Sequence, residues 1–238
     1  MNKLTGRIIP ISELSQGDTV TMWRLMQRFY KHVSWAIFTK DLAEKDSVIL
    51  LREVATGDIK GFSTTMIIQT EVDGVQIAAV FSGDTIIDKE FWGELVLAKL
   101  MIQYQLEVLE RFQDRNVYWF LISKGYKTYR YLPLYFCKFY PSYCEDTPAF
   151  EQSVINELSR LKFGDCYDES RGLIVFDEPS ECLRPDVAQI DDKSMKNPHV
   201  QYFAKKNPGH REGDELACLA RIAPDNFNRA FLRTVKQE

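Results

Sequence analysis

Two stretches of the 238-residue chain hold residues whose types and spacing can do chemistry. In "VFSGDTIIDKEFWGELV" an apolar run is broken by Ser82, Gly83, Asp84 and Thr85, and the chain then passes Gly93 into a long apolar helical pattern. Such an insert is open to two readings: a ligand-binding strand, loop and helix, or a hydrogen-bonded aspartate closing a bulge that Gly83 marks. In "SKGYKTYRYLPLYF" Lys124, Tyr126, Lys127, Tyr129, Arg130, Tyr131 and Tyr135 fall close together. A phenol can give up a proton and a lysine or arginine can meet a phosphate, but tyrosines at helical spacing also fill a core with the hydroxyl at its rim.

Several chemistries lack their residues. There is no G-x-S-x-G for a serine hydrolase, and neither G-x-x-x-x-G-K-[ST] nor G-x-G-x-x-G for a nucleotide. His32, His199 and His210 form no H-x-x-x-H pair, and the five scattered cysteines contain no C-x-x-C. Reduced, buried thiols are expected rather than a disulfide frame or a metal site. "KKNPGHREGDEL" reads as a charged surface loop without a catalytic role.

The net charge of −4 argues against nucleic acid or an anionic membrane as partner, since both are held by neutralising phosphate with Lys and Arg. No apolar run reaches the roughly 18 residues of a membrane span, and the first residues lack a signal-peptide core, so a cytoplasmic address is expected. With 45% hydrophobic and 27% charged residues the composition is that of a globular chain.

The elements that must position these residues follow from periodicity. "GRIIPI" is a strand candidate, and "VTMWRLMQRFYKHVSWAIF" places Trp23, Met26, Phe29 or Tyr30, and Val33 at helical spacing behind a cap at Asp18 or Thr19. "SVILLREV", "IKGFSTTMIIQTEV" and "VQIAAVFSGDTIID" read as three antiparallel strands, with a hairpin at Asp73-Gly74. The helix "GELVLAKLMIQYQLEVLERFQDR" and the strand "NVYWFLIS" come next, then an aromatic helical segment broken near Pro133 or Pro141, and a helix opened by Thr147-Pro148. "RGLIVF" and "ELACLARI" are strand candidates, "FNRAFLRTV" a closing helix, and the polar segment between holds one helical turn near Val200 to Lys205.

This order resembles the GNAT superfamily of N-acetyltransferases. "DIKGF" sits where many members enter their third strand, "VFSGDTIIDKEFWGELV" occupies the acyl-CoA strand and loop, and "LYFCKFYP" resembles the ending Y-x-x-x-G-F with Tyr135 at the tyrosine. The resemblance covers most of residues 6–139, with strands near 172 and 216 as the last pair. It implies an α+β (mixed α/β) fold: a central, mostly antiparallel sheet flanked by helices, in a single domain over 1–238 with an elaborated C-terminal part from about 147.

The resemblance also implies an acyltransferase moving an acetyl or other acyl group from acyl-CoA, or another pantetheine carrier, to a small amine. Ile86, Ile87, Trp92, Gly93, Glu94, Leu95 and Val96 would then contact the donor, with Lys127 and Arg130 at its phosphates. Asp84, on a strand that splays from its neighbour and pointing with Ser82 to one face, would take the proton of the attacking amine, and Tyr135 would protonate the leaving thiolate. The family's diphosphate loop usually reads Q/R-x-x-G-x-G/A. Here "FWGELVLA" keeps Gly93 but puts Leu95 and Leu97 where small residues are expected and Trp92 in place of a basic or amide side chain. That departure leaves a second reading: a non-catalytic GNAT-like protein whose cleft binds a metabolite or partner, with the C-terminal part covering the cleft or forming a dimer contact.

Overall fold

β-Branched and aromatic runs alternate with helical ones along the chain, and a computed structural model describes residues 3–176 and 181–236. The first elements are β1 (Leu4–Pro10), α1 (Gln16–Phe29), β2 (Tyr30–Lys31), α2 (Trp35–Ala43), β3 (Ser47–Glu53), β4 (Ile59–Val72) and β5 (Val75–Ile87). Then come α3 (Val96–Arg111), β6 (Asn116–Ser123), α4 (Tyr126–Tyr129), α5 (Tyr131–Tyr135) and α6 (Ala149–Phe163). The last part holds β7 (Tyr167–Asp168), β8 (Leu173–Ile174), β9 (Cys182–Leu183), α7 (Pro185–Ala188), α8 (Pro198–Lys206), β10 (Glu215–Arg221) and α9 (Arg229–Lys236).

Eight strands form one sheet in the order β1-β3-β4-β5-β6-β10-β8-β7. Neighbours are antiparallel except β5 and β6, which α3 joins by the crossover that a parallel pair requires. The fold is mixed α/β with a mostly antiparallel sheet, and side chains alternate across it. Ala78 and Val80 of β5 pack under α3 and α9, whereas Ile77, Ala79 and Phe81 pack on α6. A third apolar cluster joins α1 and α2 to Val48, Leu50 and Phe62 of the sheet. Asp73 and Gly74, both at positive φ, make the tight β4–β5 hairpin.

The second half of β5 departs from a regular strand in two ways. Its ladder with β6 runs from Ile77↔Asn116 to Ser82↔Leu121 and stops there. Beyond it, β6 keeps β10 as partner (Ala217↔Ile122, Leu216↔Ser123) and β5 keeps β4 as far as Gly61↔Ile87, so the two strands part, which is the splay expected at Asp84. The second departure is a bulge. Thr65 faces Ser82 and Ser63 faces Thr85, leaving Gly83 and Asp84 opposite Thr64. A Cβ at Gly83 would lie 2.6 Å from Thr64 Oγ1 and 2.9 Å from Lys45 Cε, so only glycine fits that approach.

Several sequence expectations are corrected. The cap of α1 is Ser15, whose hydroxyl accepts the Asp18 amide, so the helix starts before Asp18. It ends at Phe29; His32 at φ +57° turns the chain, Val33 lies outside any helix, and Trp35 opens a separate α2. The aromatic segment breaks at Arg130, not at a proline. Pro133 sits in the first turn of α5, where an amide has no intrahelical acceptor to lose. The thiols are all free, but Cys137 and Cys144 are exposed while only Cys182 and Cys218 are buried. "RGLIVF" contributes just Leu173 and Ile174 as strand, and the turn near Val200 is the longer α8. The proline-rich connection is partly described; its residues 177–180 lie outside the described ones.

Candidate functional site

Where β5 and β6 part, a cavity of about 960 Å³ opens. Asp84, Ile86, Ile87, Trp92, Gly93, Glu94, Leu95, Lys127, Arg130 and Tyr135 all line it, so the residues singled out from the sequence meet in one place, Val96 excepted. Val96, the first residue of α3, packs against the core beneath the helix. Leu97 goes the same way and is 1% exposed, while Leu95 is 48% exposed and on the cavity wall. Of the two leucines that replace small residues, only Leu95 is therefore placed to crowd a ligand.

The α3 end of the cavity is built on backbone. Gly93 has φ +100°, a conformation that L side chains rarely adopt, and it turns the chain into a helix with no side-chain cap at Leu95. The first-turn amides of such a helix have no intrahelical acceptors and carry the positive end of its dipole. Trp92 donates its indole N–H to the Ile87 carbonyl at 2.8 Å, and the Lys127 ammonium lies 3.5 Å from the centroid of that indole ring. Burial and then the neighbouring Lys89 hold the Lys127 pKa below its ordinary value. Lys89 itself is ion-paired with Asp186.

Tyr135 is buried, its ring stacked on Tyr131 (6.2 Å, 14°) and edge-on to Phe231 of α9. Burial raises its pKa, and a hydrogen bond with Thr234 pulls the other way. The phenol is therefore protonated at neutral pH.

The opposite end is densely charged. Asp84 has no hydrogen bond or ion pair among the described residues, and its pKa is pushed up to about 7, first by burial and then by the carboxylates Glu181 and Asp41. The bulge changes which way it points. Ser82 precedes the bulge and accepts the Trp119 indole N–H at 2.8 Å under α3, whereas Asp84 follows the side of Ile86, toward α1 and α2. The expectation that Ser82 and Asp84 share a face is thus wrong, because the extra residue reverses the alternation.

Around Asp84 stand Lys124, singled out in the sequence, and groups that sequence reasoning does not single out as a site. Lys124 Nζ lies 3.3 Å from Glu215 and 3.6 Å from Glu181, and 5.3 Å from the Tyr30 ring. Burial works against the Lys124 charge, but Glu215, Glu181 and Asp84 outweigh it and raise its pKa. Burial raises the pKa of Tyr30, Glu181 and Glu215 as well. Nearer α2, Lys45 pairs with Asp41 at 2.5 Å, and Lys162 with Glu44 at 2.7 Å and Asp41 at 3.3 Å. Glu215, where the expected surface loop "KKNPGHREGDEL" overlaps the expected strand "ELACLARI", is the first residue of that strand as β10 and is buried rather than exposed. The loop before it is also less exposed than expected: Asn207 and His210 are buried, and the Asn207 amide donates to the Asp214 and Ser123 carbonyls.

No protein-family model matches the chain, and no curated protein matches it. In fold it is similar to solved GNAT-type structures over a little more than half its length. A probable N-acyltransferase from Enterococcus faecalis is 16% identical with a TM-score of 0.42, over 57% of this chain and 33% of that one. The match spans about a third of the Enterococcus protein. A GNAT family N-acetyltransferase from Escherichia coli in complex with CoA is 16% identical (TM-score 0.39; 55% of this chain, 68% of that one). Glucosamine-6-phosphate N-acetyltransferase from Arabidopsis thaliana is also 16% identical (TM-score 0.38; 53% and 88%).

Proposed function

We propose that the protein is an N-acyltransferase that transfers an acyl group from acyl-CoA, or from another pantetheine thioester, to an amine. The observation that carries this reading is the enclosed, unpaired carboxylate of Asp84 at the point where β5 leaves β6, in one cavity with a glycine-led helix start and a buried phenol. The α3 end fits the anionic part of such a donor. Gly93 leaves its side of the turn open, since a Cβ there would meet nothing within 4 Å, and Lys127 and Arg130 bring positive charge to the same wall. Ile86, Ile87 and Leu95 offer apolar surface beside it.

Bound there, the donor would supply a thioester carbonyl as the electrophile. Asp84, ionised above about pH 7, receives the proton of the amine nitrogen as the N–C bond forms and the C–S bond breaks. Tyr135 gives its proton to the departing sulfur, so the products are an amide and a free thiol. Exchange with water then returns Asp84 to its carboxylate and Tyr135 to its phenol. The same reading takes the chain as one domain over 1–238, since β10, β8 and β7 extend the sheet begun by β1 and β3. The five unpaired cysteines support a reducing, cytoplasmic setting.

The test is thiol release from acetyl-CoA, followed with a thiol-reactive dye across a panel of amines, with wild type and Asp84→Asn in parallel. Amine-dependent release that the substitution removes supports the reading. Amine-dependent release that survives the substitution overturns the role of Asp84, and no release with any amine overturns the acyltransferase reading in favour of a non-catalytic binding cleft.

A further inference from the structure

The charges at the deep end of the cavity do not balance, and the imbalance is local. On the α2 side Asp41 and Glu44 are matched by Lys45 and Lys162, two carboxylates against two ammonium groups in direct contact. On the other side Lys124 faces Asp84, Glu181 and Glu215, and the second ammonium acting on Asp84, Lys45, is already in contact with Asp41. Lys124 reaches two of these, at 3.3 and 3.6 Å, and Asp84 has no partner among the described residues. Over both sides five carboxylates meet three ammonium groups, which leaves two negative charges above about pH 7, where Asp84 is ionised. Carboxylates enclosed without full compensation are costly, and a ligand bringing two positive charges relieves that cost where one bringing a single charge relieves part of it.

Resting on the acyltransferase reading, we propose that the acceptor arrives as a dication, a diamine or polyamine: a second ammonium is held by Glu181 and Glu215, while the one at Asp84 first loses a proton to solvent, leaving the neutral amine whose proton Asp84 takes as the N–C bond forms. The cavity that holds these carboxylates is also lined by Phe29, Tyr30, Ile122 and Leu183, apolar surface that suits methylenes between two cationic groups. An acceptor carrying a carboxylate meets like charge at Glu181 and Glu215. The other charged groups on the cavity lie apart from this pocket. Lys40 is exposed on α2, and Glu94, Lys127 and Arg130 belong to the α3 end.

The test compares ligands of equal chain length: diaminobutane, butylamine and aminobutanoate, titrated calorimetrically into the full-length protein without donor at pH 8. Diaminobutane should bind at least about tenfold more tightly than butylamine, the scale of one relieved charge pair, and aminobutanoate should not bind. Glu181→Gln, and separately Glu215→Gln, should each reduce that preference to about threefold or less, with melting curves checking that the variants stay folded. The less enclosed Glu181 is the first choice, and should both variants melt early the wild-type preference decides alone. Equal affinity for diaminobutane and butylamine, or a full preference kept in folded variants, overturns the proposal. Acyl transfer to both amines with equal kcat/KM overturns it too while leaving the acyltransferase reading intact. A diamine preference without thiol release from acetyl-CoA leaves the cation site standing and removes the acyltransferase reading instead.

Discussion

Asp84 shows how placement alone brings an ordinary carboxyl to the pKa that the proposed base requires. Its carboxyl, near 4 in an unfolded chain, titrates at about 7 because burial and the charges of Glu181 and Asp41 disfavour the ionised form. Between those values the folded protein holds a proton that the unfolded chain has released, so stability falls as pH rises through that window. Asp84→Asn removes this effect. Its Tm should exceed that of wild type by roughly 2 to 8 °C at pH 8 and converge with it at pH 4, as calorimetric scans would show. In turnover, kcat/KM should rise with pH through an apparent pKa of about 7, and the substitution should abolish that inflection and cost about 10²- to 10⁴-fold. Tyr135→Phe should lower turnover over a similar range of about 10²- to 10⁴-fold with donor affinity kept, because the ring still packs on Tyr131 and Phe231. A polar insert in an apolar strand is legible in the sequence as something unusual. Its direction is not, since the bulge that turns Asp84 away from Ser82 depends on the register with β4. Glu181 and Glu215 are invisible there as partners because they reach Lys124 from segments far along the chain.

At the scale of the element, the turn into α3 is the part most open to test. Gly93 holds φ +100° with space around its missing Cβ, so a side chain there costs backbone strain rather than a clash. Gly93→Ala and Gly93→Val should both lose about 1–2 kcal/mol of stability in denaturant titrations. Only the valine, with its branched bulk on the cavity wall, should add a further loss of CoA affinity. Equal affinity in the two variants would move the diphosphate elsewhere. The strands and α3 are legible because their apolar periods are long and their turns explicit, as at Asp73-Gly74. The split of α1 from α2 is not, for the apolar spacing runs on through Tyr30 and Val33 while β2 pairs with β9, about 150 residues later in the sequence.

Across the whole molecule, the C-terminal part is not an appendage to the cleft but a wall of it. β10 pairs with the far edge of β6 from Tyr118 to Ser123, on past the point where β5 leaves the near one, and brings Glu215 into the cavity, while α9 packs Phe231 against Tyr135 and Phe136. Phe231 is 1% exposed, so Phe231→Ala should cost about 3–5 kcal/mol in a denaturant titration. It should also loosen the ring of Tyr135, lowering kcat more than it raises KM. The mixed sheet is legible in outline from the order of runs. The role of β10 is not, since nothing in "ELACLARI" says which strand it joins. Whether the space between β5 and β6 receives an acyl-CoA donor is decided by calorimetric titration of CoA into wild type and Gly93→Val. Saturable one-to-one binding to wild type, weakened in the variant, is the expected result. The absence of saturable binding to the folded wild-type protein would contradict a donor site there.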